Sequence, residues 1–433
     1  MKSVKAEIIA VGTELLLGQI TNTNARYLSQ QLSYLGIDVY YQTVVGDNLN
    51  RLKQAIELAS SRADVILFSG GIGPTQDDLT KDALGEVLGR SQHIYPEAMK
   101  KVESFFEGRD KPMTENNRRQ AIILEGSEPL DNEVGLAVGI AVSQDDKHYI
   151  VLPGPPKELQ PMFENQAKPW LAKNVLSDEQ PIYSKMLKFA GIGESALEDG
   201  LLDLISAQTD PTIAPYAKEG EVTIRLTTKA DSEKEANVKL KNMEAEIRKR
   251  LPDHMYADQD ITIEEQILLM MTGMGLSLAA AESCTGGLIM ENLTRIPGSA
   301  LVFMGGVVSY SNEMKEKLLN VPHDLLEGEN APGAVSEEVA EVMAAEARKL
   351  LDTDFAVSVT GVAGPGSSER KPVGLVYIGL AERNQPTQVF KLNLKGNREA
   401  IRIRSAKSIM YRLWLRLKEL QQEQIVQNQN ESK

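Results

Sequence analysis

Residues 5–11 (KAEIIAV) form a short apolar run, and residues 24–35 carry Leu28, Leu32 and Leu35 at helical spacing. The first pattern predicts a buried strand, the second a helix with one apolar face. A strand over 37–45, a helix over 49–61, a strand over 64–68 and a helix over 78–88 continue the alternation. This βαβαβα order, over residues 1–170, predicts a parallel, doubly wound α/β sheet. Ligands of such sheets bind at the carboxyl ends of the strands, here the loops at Gly12, Gly46 and Gly70.

Residues 171–255 have another texture. A strand over 184–189, a helix over 194–205, a hairpin of 212–217 and 221–227 turning at Glu219-Gly220, and a polar helix over 232–251 make a small α+β unit. A polar connector over 252–263 follows. Residues 256–422 then read as a second α/β domain. Its strands fall at 277–281, 300–310, 355–359 and 373–380, and its helices at 263–271, 288–294, 336–351 and 398–420. The last helix has a stripe of Ala406, Met410, Leu413, Leu417 and Leu420. The polar tail, 423–433, is expected to fray.

A length of 433 residues agrees with about three domains at roughly 150 residues each. The 42% of hydrophobic and 25% of charged residues exclude disorder for the bulk of the chain. A net charge of −14 argues against a global affinity for nucleic acid or an anionic membrane, and leaves room for a pocket that takes small phosphates. The middle unit, at −3, is not a basic platform either. A single cysteine, Cys284, excludes an internal disulfide; with only four histidines it also excludes a Cys/His zinc site. The residues suit a reducing cytoplasm. No apolar run approaches the ~18 residues of a bilayer span, and the N-terminal strand pattern lacks the features of a signal peptide.

The strongest chemistry lies in Glu282-Ser283-Cys284-Thr285-Gly286-Gly287, at a strand-to-helix transition. Ser283 or Thr285 can cap the helix, and N–H groups near Thr285 and Gly286 suit a phosphate or an oxyanion. A second cluster runs Ser309-Tyr310-Ser311-Asn312-Glu313-Met314-Lys315, with Asn312 as the expected helix cap. An ordinary lysine titrates near ~10.4, so a lysine base needs burial or a helix N-terminus to shed its proton. Together the clusters suggest a Ser/Lys hydrolase: Ser283 the nucleophile, Lys315 its base, Tyr310 relaying a proton or orienting the lysine. Cys284 is the rival nucleophile, though no histidine neighbour is evident to make its thiolate. The bland alternatives, a capped helix start and a surface lysine, stay open on spacing alone. A third loop, Thr360, Gly361, Gly364 and on to Arg370, suits a phosphate or ribose. In the N-terminal domain, Gly70, Gly71 and Gly73 precede Asp77 and Asp78. Backbone N–H groups followed by carboxylates suit a metal-bridged phosphate, with Glu14 and Asp47 completing the metal shell.

These stretches together resemble one family, the competence-damage-inducible CinA proteins. The resemblance rests on GTELLLGQITNTNARYLSQQL (12–32), SGGIGPTQDDLT (69–80), NRRQA (117–121) and LPGPPKEL (152–159) in the N-terminal half. AESCTGG (281–287), SYSNEMK (309–315), GAVSEEV (333–339), TGVAGP (360–365) and KPVGLVY (371–377) carry it in the C-terminal half. It implies a MoaB/MogA-like N-terminal domain associated with metal-dependent ADP-ribose pyrophosphatase activity. It also implies a KH-like middle domain and a C-terminal domain similar to nicotinamide mononucleotide deamidases. The nucleophile and base of those deamidases carry over onto Ser283 and Lys315, with Tyr310 in support, and Glu282 stands as a partner for the pyridinium charge. The divalent metal ion belongs to the N-terminal domain only, on Asp78 and Asp47; deamidation needs none. The expected partners are nicotinamide mononucleotide, ADP-ribose and a second copy of the chain in a homodimer, not a membrane or nucleic acid. Two rival readings are a molybdopterin-binding module and a DNA-recombination accessory.

Overall fold

The computed structural model describes residues 4–108, 112–176, 182–367 and 371–431. The chain divides into two compact units, Met1–Ile182 and Tyr183–Lys433. Among the described residues no helix is long and apolar enough to cross a membrane.

The first unit holds strands β1 (Lys5–Val11), β2 (Asp38–Val45), β3 (Val65–Ser69), β4 (Gln92–Ile94), β5 (Ile122–Leu124), β6 (Glu128–Leu130), β7 (Gly139–Gln144) and β8 (Lys147–Leu152). Six of them form one sheet in the order β2-β1-β3-β8-β7-β6. Strands β2, β1, β3 and β8 run parallel, as the alternation predicts. Alternate side chains of β1 point into different cores: Ala6 and Ile8 join Leu28 and Leu32 on one face, Ile9 and Val11 join Leu52 and Ile56 on the other. That is the double winding, with apolar helices on both faces of a buried sheet. The sheet departs from an all-parallel one at β7 and β6, which are antiparallel. The cause is local. Asp145 and Asp146, between β7 and β8, both adopt left-handed backbone, at φ 51° and 59°. Two such residues make the tight turn that folds a hairpin.

The second unit begins with β9 (Ile182–Ala190), β10 (Thr212–Lys218), β11 (Glu221–Lys229) and β12 (Met255–Ala257), in the order β10-β11-β9-β12. The hairpin turns where the sequence places it. The helix expected over 194–205 is two, Glu194–Gly200 and Leu202–Ala207, parted beside Gly200, a weak helix former. The connector expected over 252–263 is not a free linker. Its Met255, Tyr256 and Ala257 are buried as strand β12.

The remaining strands are β13 (Leu278–Glu282), β14 (Phe303–Val308), β15 (Phe355–Gly361), β16 (Leu375–Glu382) and β17 (Gln388–Asn393), in the order β14-β13-β15-β16-β17. β14, β13 and β15 are parallel, so their carboxyl ends lie side by side. β17 has no counterpart in the sequence reading; it is a short, half-exposed edge strand. Helix Glu337–Leu350 covers one face of the sheet through Val339, Met343 and Ala347. Helix Arg398–Glu431 covers the other through Ala406, Met410, Leu413 and Leu417. That helix continues through the tail expected to fray. Gln and Glu are good helix formers, so the exposed turns need no packing partner of their own.

Leu413 is fully buried, whereas Ile425 is 52% exposed. Leu413→Ala should therefore cost about 2–5 kcal/mol and Ile425→Ala less than about 0.5 kcal/mol in denaturant unfolding. Equal effects would contradict this assignment of the helix face.

Candidate active site

Three parallel strand ends build the C-terminal site. The Ser283 N–H donates to the Val359 carbonyl at 2.9 Å, and the Ser309 N–H to the Glu282 carbonyl at 2.9 Å. Residues 283 and 309 thus continue β13 and β14 as neighbours. After Ser283 the chain turns sharply, with Gly286 and Gly287 at φ 60° and 96°, which side chains resist. The sequence suggests Ser283 or Thr285 as the cap of the next helix. The structure gives that work to Glu282. Its fully buried carboxylate accepts from the Gly287 N–H and the Met290 N–H, each at 2.9 Å. Two charge-assisted bonds to N–H groups at a helix start offset the cost of burying the charge. With both oxygens engaged, Glu282 is a clamp on the turn and not an open partner for a pyridinium.

Lys315 enters from helix Asn312–Leu319. Ser311 caps it, not Asn312; its side chain accepts from the Met314 N–H. The lysine is 1% exposed, and its Nζ lies 3.1 Å from Ser283 Oγ and donates to the Ser309 carbonyl at 2.9 Å. The nucleophile and base expected from sequence, 32 positions apart, therefore meet in a buried pair.

The other expected residues separate into several groups. The Gly286 N–H is spent on the Ser283 carbonyl at 3.0 Å, so it is not a ready oxyanion donor. The N–H groups of Cys284 and Thr285 reach no acceptor of another residue among the described residues, and the Cys284 N–H lies against its own thiol. Tyr310 is 61% exposed, and its hydroxyl accepts from Arg398 Nη2 at 2.9 Å; it makes no hydrogen bond to Lys315 or Ser283. Thr360 is buried and donates to the Ala334 carbonyl, and Gly361 is paired inside β15. Both support the scaffold instead of presenting polar groups. Gly364 gives its carbonyl to Arg398 Nη1 at 2.6 Å. Arg370 lies outside the described residues.

Sequence reasoning missed Arg398 and Arg402. They stand four apart at the start of the last helix, so they share a face. Arg402 donates to the Thr285 carbonyl at 2.6 Å. Between them they tie the serine turn, Tyr310 and the Gly364 loop to one helix. The spacing was visible, but nothing in it distinguished these arginines from surface ones.

Burial, the dominant cause, pushes the Cys284 thiol from 9.0 up to about 12, and nearby Glu282 adds to the effect. A neutral thiol is a poor nucleophile, so the rival to Ser283 is weakened.

In the first unit, a cleft of about 380 Å³ opens at the carboxyl ends of β1, β2, β3 and β8. Gly70, Gly71 and Gly73 line it, as expected. A Cβ on Gly70 would meet the Val11 carbonyl at 2.5 Å, so only glycine allows that approach. Asp77 and Asp78 precede the helix Thr80–Leu88 instead of starting it. Five carboxylates, Glu14, Asp47, Asp77, Asp78 and Glu158, line the cleft, and among the described residues no Lys, Arg or His does. Asp47 Oδ2 accepts from the Thr13 N–H and hydroxyl, and Asp78 Oδ2 from the Thr75 N–H and hydroxyl. Among the described residues no three His, Cys, Asp or Glu side chains gather closely enough to hold a metal ion. The expected trio of Asp47, Asp77 and Asp78 shares the cleft but is not a preformed cage. Below the loop, Lys81 is buried and donates to the Ile122 and Val138 carbonyls, each at 2.6 Å; burial lowers it to about 7.

Family models match the chain in three places. A "Probable molybdopterin binding domain" spans residues 7–173, a "Damage-inducible protein CinA KH domain" 184–257, and a "CinA C-terminal domain" 260–417. A protein of Geobacillus kaustophilus named as competence-damage inducible is 50% identical over 404 residues, covering 93% of this chain and 97% of the relative. A Bacillus anthracis protein of the same name is 46% identical and covers 96% of this chain and 100% of the relative. A solved structure described as "the protein CinA with unknown function", from Thermoplasma acidophilum, is 32% identical. It covers 39% of this chain and 98% of its own, with a TM-score of 0.36.

With its thiol raised from 9.0 to about 12, Cys284 should carry about a thousandfold less thiolate at pH 8 than an ordinary cysteine. Iodoacetamide should accordingly label it hundreds of times more slowly in the folded protein than in urea. Comparable rates in the two states would show an activated thiol.

Proposed function

The chain belongs to the CinA family of competence-damage inducible proteins, and on that basis we propose that its C-terminal domain deamidates nicotinamide mononucleotide. The products are nicotinic acid mononucleotide and ammonia. The observation that carries this reading is the buried Ser283–Lys315 pair at 3.1 Å.

The neutral Lys315 amine takes the Ser283 proton as Oγ bonds to the carboxamide carbon. The carbonyl electron pair moves onto oxygen, where the N–H groups of Cys284 and Thr285 receive it. As the C–N bond breaks, the Lys315 ammonium returns its proton to the departing nitrogen, and ammonia leaves. Lys315 then accepts a proton from water, whose oxygen attacks the acyl-serine; collapse restores the Ser283 hydroxyl and frees the carboxylate product. The pyridinium's positive charge makes the amide carbon more electrophilic. Arg398 and Arg402 retain N–H groups beyond the bonds described and supply positive charge for the nucleotide's phosphate.

For the N-terminal domain we propose metal-dependent cleavage of ADP-ribose at its pyrophosphate. The supporting observation is the acidic cleft. A pyrophosphate entering among five carboxylates meets repulsion unless a cation accompanies it. Asp47, Asp77 and Asp78 offer hard oxygen donors of the type that suits a divalent cation, and Asp47 and Asp78 each have one oxygen uncommitted. Such a metal, when bound, would polarise the phosphorus for water attack. Gly70 and Gly71 let the substrate approach the backbone closely, and Asp78 is fixed by Thr75.

In steady-state ammonia release from nicotinamide mononucleotide, Ser283→Ala and Lys315→Ala should each lower kcat about a thousandfold or more, and Cys284→Ala should stay within about threefold. Full activity in Ser283→Ala would overturn the nucleophile assignment. A chelator should abolish ADP-ribose turnover and spare ammonia release; loss of both would contradict separate chemistries in the two domains.

A further inference from the structure

Two hydroxyls next to the catalytic pair have no explanation in the mechanism above. Thr285 and Ser309 are each 0% exposed, and neither Oγ1 of Thr285 nor Oγ of Ser309 has a hydrogen-bond partner among the described residues. A buried hydroxyl without a partner is costly and uncommon in a folded protein. Both sit on the segments that hold the Ser283–Lys315 pair. Thr285 lies two positions after Ser283, on the turn that Glu282 clamps. Ser309 continues the strand beside Ser283, and its own carbonyl holds Lys315 Nζ at 2.9 Å.

The unpaired groups here come in two kinds. The N–H groups of Cys284 and Thr285 are donors, which suit a carbonyl oxygen. The Thr285 and Ser309 hydroxyls rotate to donate or accept, so unlike the N–H groups they can take N–H hydrogens. A primary carboxamide presents one acceptor oxygen and two N–H hydrogens. An ester or an N,N-dialkyl amide presents the oxygen alone. We propose that the Thr285 and Ser309 hydroxyls accept from the –NH2 of the substrate's carboxamide and give the site its selectivity for primary amides. The proposal rests on the deamidase reading. It adds the two residues that distinguish a primary amide from other acyl groups. A site built to pair with a polar group rejects the analogue that lacks it, because its own buried groups are then left unpaired.

The test uses Thr285→Val, Ser309→Ala and the hydroxyl-retaining Thr285→Ser in the full-length protein. Two substrates are compared: nicotinamide mononucleotide and the methyl ester of nicotinic acid mononucleotide. Thr285→Val and Ser309→Ala should each lower kcat/KM for the amide at least tenfold and leave the ester within about threefold. Thr285→Ser should keep most of the amide activity. Neither loss-of-hydroxyl variant should melt below the parent, since each removes an unpaired buried group. A structural role would lower the melting temperature and depress amide and ester together; that result overturns the proposal. So does amide activity within twofold of the parent in both variants. Failure of the deamidase reading looks different: the unaltered protein then releases no ammonia from the nucleotide, and the proposal falls with it.

Discussion

The chemistry proposed for the C-terminal domain depends on a lysine held out of water against one hydroxyl. A lysine on the surface is a cation with no use for a serine proton. Lys315 differs because its helix is capped by Ser311, its side chain is buried, and the Ser309 carbonyl and Ser283 Oγ meet it at 2.9 and 3.1 Å. Every nearby feature serves that contact. Parallel strands β13 and β14 put residues 283 and 309 side by side, and Glu282 fixes the turn that follows. Arg402 anchors the turn from outside through the Thr285 carbonyl.

The N-terminal domain uses strand ends in the opposite electrostatic sense. Its cleft sets glycines where the backbone must be approached among five carboxylates. The proposed phosphate ligand there needs a cation to mediate, whereas the reaction proposed for the C-terminal site uses only a serine and a lysine. The same architectural rule, ligands at the carboxyl ends of parallel strands, thus underlies both proposed activities.

The sequence made the parallel cores and the Ser283–Lys315 pair legible for physical reasons. Buried parallel strands are continuous apolar runs, and the serine turn and the helix-start lysine, each ordinary alone, gain meaning as two clusters read together and from the family resemblance. What escaped it depends on conformation that composition does not encode. The antiparallel edge of the first sheet follows from the left-handed backbone of Asp145 and Asp146. Capping by Glu282 follows from a carboxylate folding back over glycines, a geometry without a periodic signature. Tyr310 was expected to face the lysine but turns outward to Arg398. Arg398 and Arg402 gain their meaning only when the last helix is laid against the loops. Arg370 lies outside the described residues.

The most direct test of the serine mechanism is to catch its covalent intermediate. The protein would be mixed with nicotinamide mononucleotide, quenched in acid within milliseconds and mapped by peptide mass spectrometry. A serine nucleophile predicts a nicotinoyl-nucleotide ester on Ser283, absent in Ser283→Ala. The same adduct found on Cys284, or product formed from one turnover with no adduct at any time point, would contradict it.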